Sequence, residues 1–128
     1  MINLLLVGAG GAVGAIARYL TGIGYGRLVG LNKPWLATLT VNIFGGFLMG
    51  VLVGVLALRV SEGGERLRLL LAVGVLGGYT TFSSYSLDAV MMIERKDYGG
   101  AAAYIGGSVV FSILGLMSGL ALARKVLA

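Results

Sequence analysis

Residues Gly74 to Asp88 read GVLGGYTTFSSYSLD, and the fold turns on how this stretch is read. It lies inside a segment long and apolar enough to cross a bilayer, yet it sets Gly74, Gly77 and Gly78 beside Thr80, Thr81, Ser83, Ser84 and Ser86. Glycine has no Cβ to hold helical dihedrals, and serine and threonine offer the backbone competing hydrogen bonds. The pattern therefore predicts a helix broken near residues 77–81. Irregular backbone at membrane depth is tolerated only where protein buries it or a wet cavity receives it. Half-helix ends at such breaks are common ion-binding positions, so this stretch is the expected functional centre.

Composition agrees with a membrane setting. The chain has 128 residues, a mean hydropathy of +0.97, 58% hydrophobic residues and 12% charged ones, which places it in the membrane class as one domain, residues 1–128. Glycine, at 23 residues, shows no collagen-like period and in lipid signals close helix packing. Cysteine and histidine are absent, which excludes zinc sites, thiolate nucleophiles, haem ligation and histidine acid–base chemistry. The net charge of +5 comes from basic residues lying mostly between apolar runs, as membrane-flanking residues do and a nucleic-acid patch does not. No basic residues precede the first apolar run, MINLLLVGAGGAVGA, which argues against a cleaved signal peptide.

Four apolar runs are expected to span. The first, Ile2 to about Tyr25, is interrupted by Arg18, placed near one end of the span or facing protein and water. Pro34 suits the first turn of the second run, Trp35 to Leu58, with Trp35 as an interfacial aromatic. In that run Thr38 and Asn42 share a face with Gly46, Gly50 and Gly54, polar first and then very small. After the connection RVSEGGERLR (59–68), turning at Gly63-Gly64, the third run extends from Leu67 to about Ile93 and carries the break and Asp88. The fourth, Tyr98 to Ala123, aligns Tyr104, Ser108 and Ser112 on one face.

Orientation is nearly undetermined by charge. One side of a four-span arrangement receives Arg59, Arg66, Arg68, Arg124 and Lys125, and the other Arg27, Lys33, Arg95 and Lys96, five against four. A chain so balanced can insert both ways, and two opposite copies can pair about an axis in the membrane plane. The fold expected is all-α: four transmembrane helices, the third broken, in a dual-topology antiparallel homodimer.

The polar residues inside the spans are almost all neutral donors. Each hydroxyl taken singly reads as helix–helix glue; taken together, Asn42, Ser108 and Ser112 on different helices can replace the water around an anion. Arg18 reads either as a snorkelling side chain or as an anion-attracting group in a wet vestibule. Phe82 and Tyr85 flank Ser83 and Ser84, and the positive edge of an aromatic ring can face an anion. Asp88, toward the end of the span, reads as an interfacial cap or an ion-pair partner, with no second intramembrane carboxylate to support proton coupling. Gly8, Gly10 and Gly11 lack the strand and distant acid of a dinucleotide fingerprint; Gly10 and Gly14 read as close-packing residues.

GAVGAIARY (11–19), TLTVNIFGG (38–46), GGYTTFSSYS (77–86) and a final helix with Tyr104, Ser108 and Ser112 together resemble the Fluc (CrcB-type) fluoride channels, over all four spans. The resemblance implies an antiparallel dimer with two pores that passively exports cytoplasmic fluoride across the plasma (inner) membrane. It implies that Asn42 contacts fluoride and orients the aromatic rings, and that Phe82 and Tyr85, with Ser83 beside them, occupy the family's "Phe box". Tyr104, Ser108 and Ser112 would line a polar track, Thr38 its counterpart on the second helix, and Arg18 a vestibule. Gly77 and Thr80 would offer backbone carbonyls from both copies to a central structural Na⁺. The family usually has a second Phe where this chain has Tyr85, whose hydroxyl alters the ring's polarity and reach.

Two other readings compete. A proton-coupled antiporter of the small multidrug resistance type needs a carboxylate in the first span, where this chain offers only Arg18. A structural membrane subunit would use its glycines and serines only for packing. A membrane enzyme fits least, for want of His, Cys or paired carboxylates.

Overall fold

The computed structural model describes residues 1–60 and 62–128; Ser61, within the expected second connection, lies outside them. The described residues form helices and no strands. These are α1 (Ile2–Val29), α2 (Pro34–Arg59), α3 (Gly64–Arg68), a π-helical stretch (Leu69–Leu76) running into α4 (Gly77–Tyr79), α5 (Phe82–Glu94) and α6 (Tyr98–Leu127). Four helical segments among them, Ile2–Val29, Pro34–Arg59, Gly64–Glu94 and Tyr98–Leu127, are long and apolar enough to cross a membrane. The shortest has 26 residues, about 39 Å at ~1.5 Å per residue, so each exceeds a ~30 Å hydrocarbon core.

The ends of these helices follow from local chemistry. Gly30, at φ 89°, takes the chain out of α1, and Pro34 occupies the first turn of α2, where its missing N–H costs nothing. Gly63 adopts a left-handed φ of 77° and launches α3. The Asp97 carboxylate caps α6 by accepting from the Gly100 amide at 3.0 Å.

Packing divides the helices into two pairs, each closed by glycine. On α2, a Cβ at Gly46 would meet the Ser112 carbonyl of α6 at 2.9 Å, one at Gly50 would overlap the Leu116 carbonyl, and one at Gly54 would strike Ala123. Gly119 of α6 answers by abutting the Phe47 carbonyl. The small face expected on the second span is thus the seam with α6. On α1, Gly10 and Gly14 lie against the backbone of residues 70–79, and Gly74 and Gly78 approach Gly10 and Gly11 in return. Dispersion between closely approaching backbones replaces the hydrophobic drive that lipid withholds.

One expectation is extended and one gives way. Trp35 is partly buried and packs edge-on against Tyr104, with centroids 5.9 Å apart, because the start of α2 leans on α6. It packs there against the hydrophobic cluster of Tyr85, Ala89, Met92, Ala101 and Tyr104. Among the described residues Asp88 caps no helix and joins no ion pair: its Oδ2 accepts from the Tyr104 hydroxyl at 3.1 Å.

Substituting Gly50→Val should force α2 from α6 and destabilise the protein by roughly 1–3 kcal/mol, the usual cost of overpacking. Gly8→Ala should leave stability nearly unchanged, since a Cβ there meets nothing within 4 Å. Thermal unfolding of the two variants in detergent checks the contrast.

Candidate functional site

Helical geometry stops at Tyr79 and resumes at Phe82. Between them Thr80 (φ −81°, ψ 161°) and Thr81 (φ −155°, ψ 124°) are extended. Two extended residues at membrane depth must find partners for their backbone groups. Asn42 of α2 supplies them: its Oδ1 accepts from the Thr81 amide at 2.8 Å, and its Nδ2 donates to the Thr81 carbonyl at 2.9 Å. The side-chain amide thus pairs with Thr81 as a neighbouring strand would. Thr81 Oγ1 then caps α5 by accepting from the Ser84 amide at 3.1 Å.

This arrangement releases carbonyls. In a continuing helix the Gly77 carbonyl would accept from the Thr81 amide and the Thr80 carbonyl from the Ser84 amide. Both amides are engaged elsewhere. The Gly78 carbonyl is taken instead by Arg18 Nε at 3.1 Å, so the arginine ties α1 to the end of α4. Arg18 is therefore neither a free snorkelling side chain nor a group devoted to solvent, although it also lines a cavity.

Two cavities flank the extended residue Thr81. The larger, about 410 Å³ and open at the surface of the chain, is lined by Asn42, Thr80, Thr81, Phe82, Tyr85, Ser108 and Ser112 among apolar neighbours. The smaller, about 150 Å³, is lined by Arg18, Gly22, Pro34, Ala37, Thr38, Val41, Thr81 and Ser84. Thr81 borders both. Of the residues singled out in the sequence, Asn42, Phe82, Tyr85, Ser108, Ser112 and Thr80 gather in the first cavity, and Arg18 and Thr38 in the second. Tyr104, Ser83 and Gly77 line neither. Tyr104 is buried with its hydroxyl on Asp88, while exposed Ser83 is 3.2 Å from the Thr81 hydroxyl.

The aromatic pair is asymmetric. Phe82 is 77% exposed, whereas Tyr85 is 8% exposed, with ring centroids 5.3 Å apart. The Tyr85 hydroxyl donates to the Ile105 carbonyl of α6 at 3.1 Å and stacks its ring 5.4 Å from that of Tyr104. The extra oxygen of Tyr85 is thus occupied by backbone and does not project into the cavity as a donor.

Ser108 is the unusual residue. It is 4% exposed, and among the described residues its Oγ is a buried side-chain oxygen without a hydrogen-bond partner. Thr40, Ser86 and Ser118 instead donate their hydroxyl hydrogens within their own helices, to the carbonyls of Leu36, Phe82 and Leu114. Sequence reading missed the contributions of Thr81 and of Ser84. The hydroxyl three residues before Ser84, in the order of a helix N-cap, was the available signal.

Asn42→Ala should free both backbone groups of Thr81, at a cost of roughly 1–3 kcal/mol for each group left unsatisfied. Hydrogen exchange at the Thr81 amide, slow in the parent protein, should accelerate by about tenfold or more. An unchanged rate would show that Asn42 does not hold this backbone.

The family described as CrcB-like protein, Camphor Resistance (CrcB), matches residues 5–120. A protein of Phenylobacterium zucineum (strain HLK1) named fluoride-specific ion channel FluC is 57% identical over 128 residues, covering 100% of both chains. Proteins of the same name from Rhodospirillum centenum (strain ATCC 51521 / SW) and Caulobacter vibrioides (strain NA1000 / CB15N) are 53% and 52% identical, again over the whole of both chains. With a family pattern spanning its four long helices and relatives sharing more than half of its residues end to end, this chain belongs to the CrcB family.

Proposed function

We propose that this protein is a passive, fluoride-selective channel that lets fluoride leave the cytoplasm across the plasma membrane. Its four spans make it a multi-pass membrane protein, and its work is conduction, not catalysis. The observation that carries the reading is Ser108: a buried hydroxyl with no partner among the described residues, bordering the same cavity as Asn42 and Ser112. A buried donor left unmade costs about 1–3 kcal/mol, which an anion accepting that hydrogen offsets. Hydroxyls, an amide and ring edges in series can exchange for the water of a small, strongly hydrated anion without the deep trap of a buried lysine. Specificity for fluoride over chloride rests on the names of the relatives and on the motif resemblance.

The proposed assembly is a dual-topology antiparallel homodimer with two pores, the chain contributing residues 1–128 as one transmembrane domain with its third span broken. Three observations favour it. The flanking charge is balanced five to four; the larger cavity opens at the surface of a single chain; and large apolar side chains such as Phe82, Val109 and Ile113 stand exposed around it. In the pore, Asn42, Phe82, Tyr85, Ser108 and Ser112 form the conduit, Tyr104 and Ser83 support it, and Arg18 and Thr38 belong to its vestibule.

Carbonyls of this kind would suit a structural Na⁺ shared between two copies of the chain. The Gly77 and Thr80 carbonyls have lost their helical donors, and a hard cation takes oxygen ligands of this type. One chain offers two of them, and a second copy would double the set. Such an ion would supply only fixed positive charge between the half-helix ends.

An inside-negative potential favours outward anion flow by about 2.3 kcal/mol per charge at ~100 mV, so no coupled energy source is required. Liposomes carrying the purified protein should release fluoride and retain chloride. Asn42→Asp should abolish release. Ser108→Ala should slow it by roughly tenfold while thermal stability holds or rises, because an unpartnered buried hydroxyl is removed. Absence of flux from folded parent protein would favour a structural-subunit role instead.

A further inference from the structure

The smaller cavity is bordered by a residue to which the pore reading gives no role. Gly22 lies one turn beyond Arg18 on α1, is exposed, and lines the cavity together with Pro34 and Ala37. The same cavity is lined by the polar residues Arg18, Thr38, Thr81 and Ser84 and by Val41. A Cβ built at Gly22 meets no heavy atom within 4 Å, whereas at Gly10 and Gly14 of the same helix it would collide with neighbouring backbone. Close packing therefore accounts for Gly10 and Gly14 and leaves Gly22 unexplained. What the missing side chain at Gly22 preserves is open space. Gly22 also stands seven residues before the end of α1 at Val29, roughly 10 Å along the helix at ~1.5 Å per residue, within reach of water from that end.

We propose that Gly22 is the mouth of the aqueous path to the conduit, the opening through which a hydrated anion passes to reach Arg18. The inference rests on the channel reading and adds to it the position that sets access. Arg18 commits Nε to the Gly78 carbonyl, and its remaining guanidinium donors keep a permanent positive charge at the cavity. A low-dielectric recess lined by one sign of charge concentrates ions of the other. The mouth therefore admits anions in preference to cations before any selective contact is made.

The chain has no cysteine, so Gly22→Cys introduces a single thiol. Its thiolate attacks the sulfenyl sulfur of a methanethiosulfonate, forming a mixed disulfide and releasing methanesulfinate. The protein in liposomes is treated on both sides with the anionic sulfonatoethyl or the cationic trimethylammonioethyl reagent, labelling is read by intact mass, and fluoride release is compared before and after. Labelled Gly22→Cys should lose flux by roughly tenfold or more, as expected when a narrow access path is filled. The anionic reagent should label faster once each rate is divided by that with free β-mercaptoethanol. Gly24→Cys, whose Cβ also meets nothing but which lies off the cavity, should keep its flux when labelled. Gly22→Trp, filling the mouth without a reagent, should show the same loss in protein that still elutes as folded. Full labelling at Gly22 with flux retained, no labelling in a conducting protein, or a folded Gly22→Trp that conducts like the parent would each overturn the proposal. Absence of fluoride flux from the parent would overturn the channel reading itself, and this inference with it.

Discussion

The paired hydrogen bonds between the Asn42 side chain and the Thr81 backbone are the interaction on which the site depends. Two extended residues inside a membrane-length helix expose amides and carbonyls that lipid cannot satisfy. A primary amide can donate and accept in parallel, as a peptide does. With Asn42 in place, Thr81 stays extended, its hydroxyl turns to cap α5, and the Gly77 and Thr80 carbonyls lose their helical donors. The irregular backbone is thus stabilised by a residue thirty-nine positions away.

Around this contact the protein is two glycine-closed pairs, α1 with the π-helical stretch and α4, and α2 with α6. Within each pair the seam is backbone against backbone, and Arg18 to Gly78 reinforces the one between α1 and α4. Between the pairs, Gly45 lies against the Thr80 side chain and Phe44 meets Tyr79 edge-on, while Tyr25 to Thr40 at 2.6 Å joins α1 to α2 and Asn42 to Thr81 joins α2 to the extended residues. The smaller cavity is lined from both α1 and α2, and the larger one borders the α2–α6 seam itself through Gly46, Ser112 and Leu116. Close packing and open space therefore meet along one interface of this small protein.

Much of this was legible in the sequence. Four spans followed from apolar runs divided by charged connections, and the seams followed from glycines at helical spacing. Asn42, Ser108 and Ser112 stood out as polar residues in apolar runs, and the structure brings them to one cavity. What the sequence concealed was direction. Whether Arg18 reaches solvent or a carbonyl, and whether Trp35 faces lipid or Tyr104, depends on how neighbouring helices lean, which composition does not encode. The π-helical stretch Leu69–Leu76 was also invisible, because Leu, Ala, Val and Gly have no preference that distinguishes one hydrogen-bond register from the next.

The carboxylate of Asp88 is turned into the Tyr104 hydroxyl and borders neither cavity. The polar groups that do border them are amide, hydroxyl and guanidinium. All of these can donate a hydrogen bond, and no carboxylate stands among the residues lining either cavity. A lining of this kind turns no fixed negative charge toward whatever enters it.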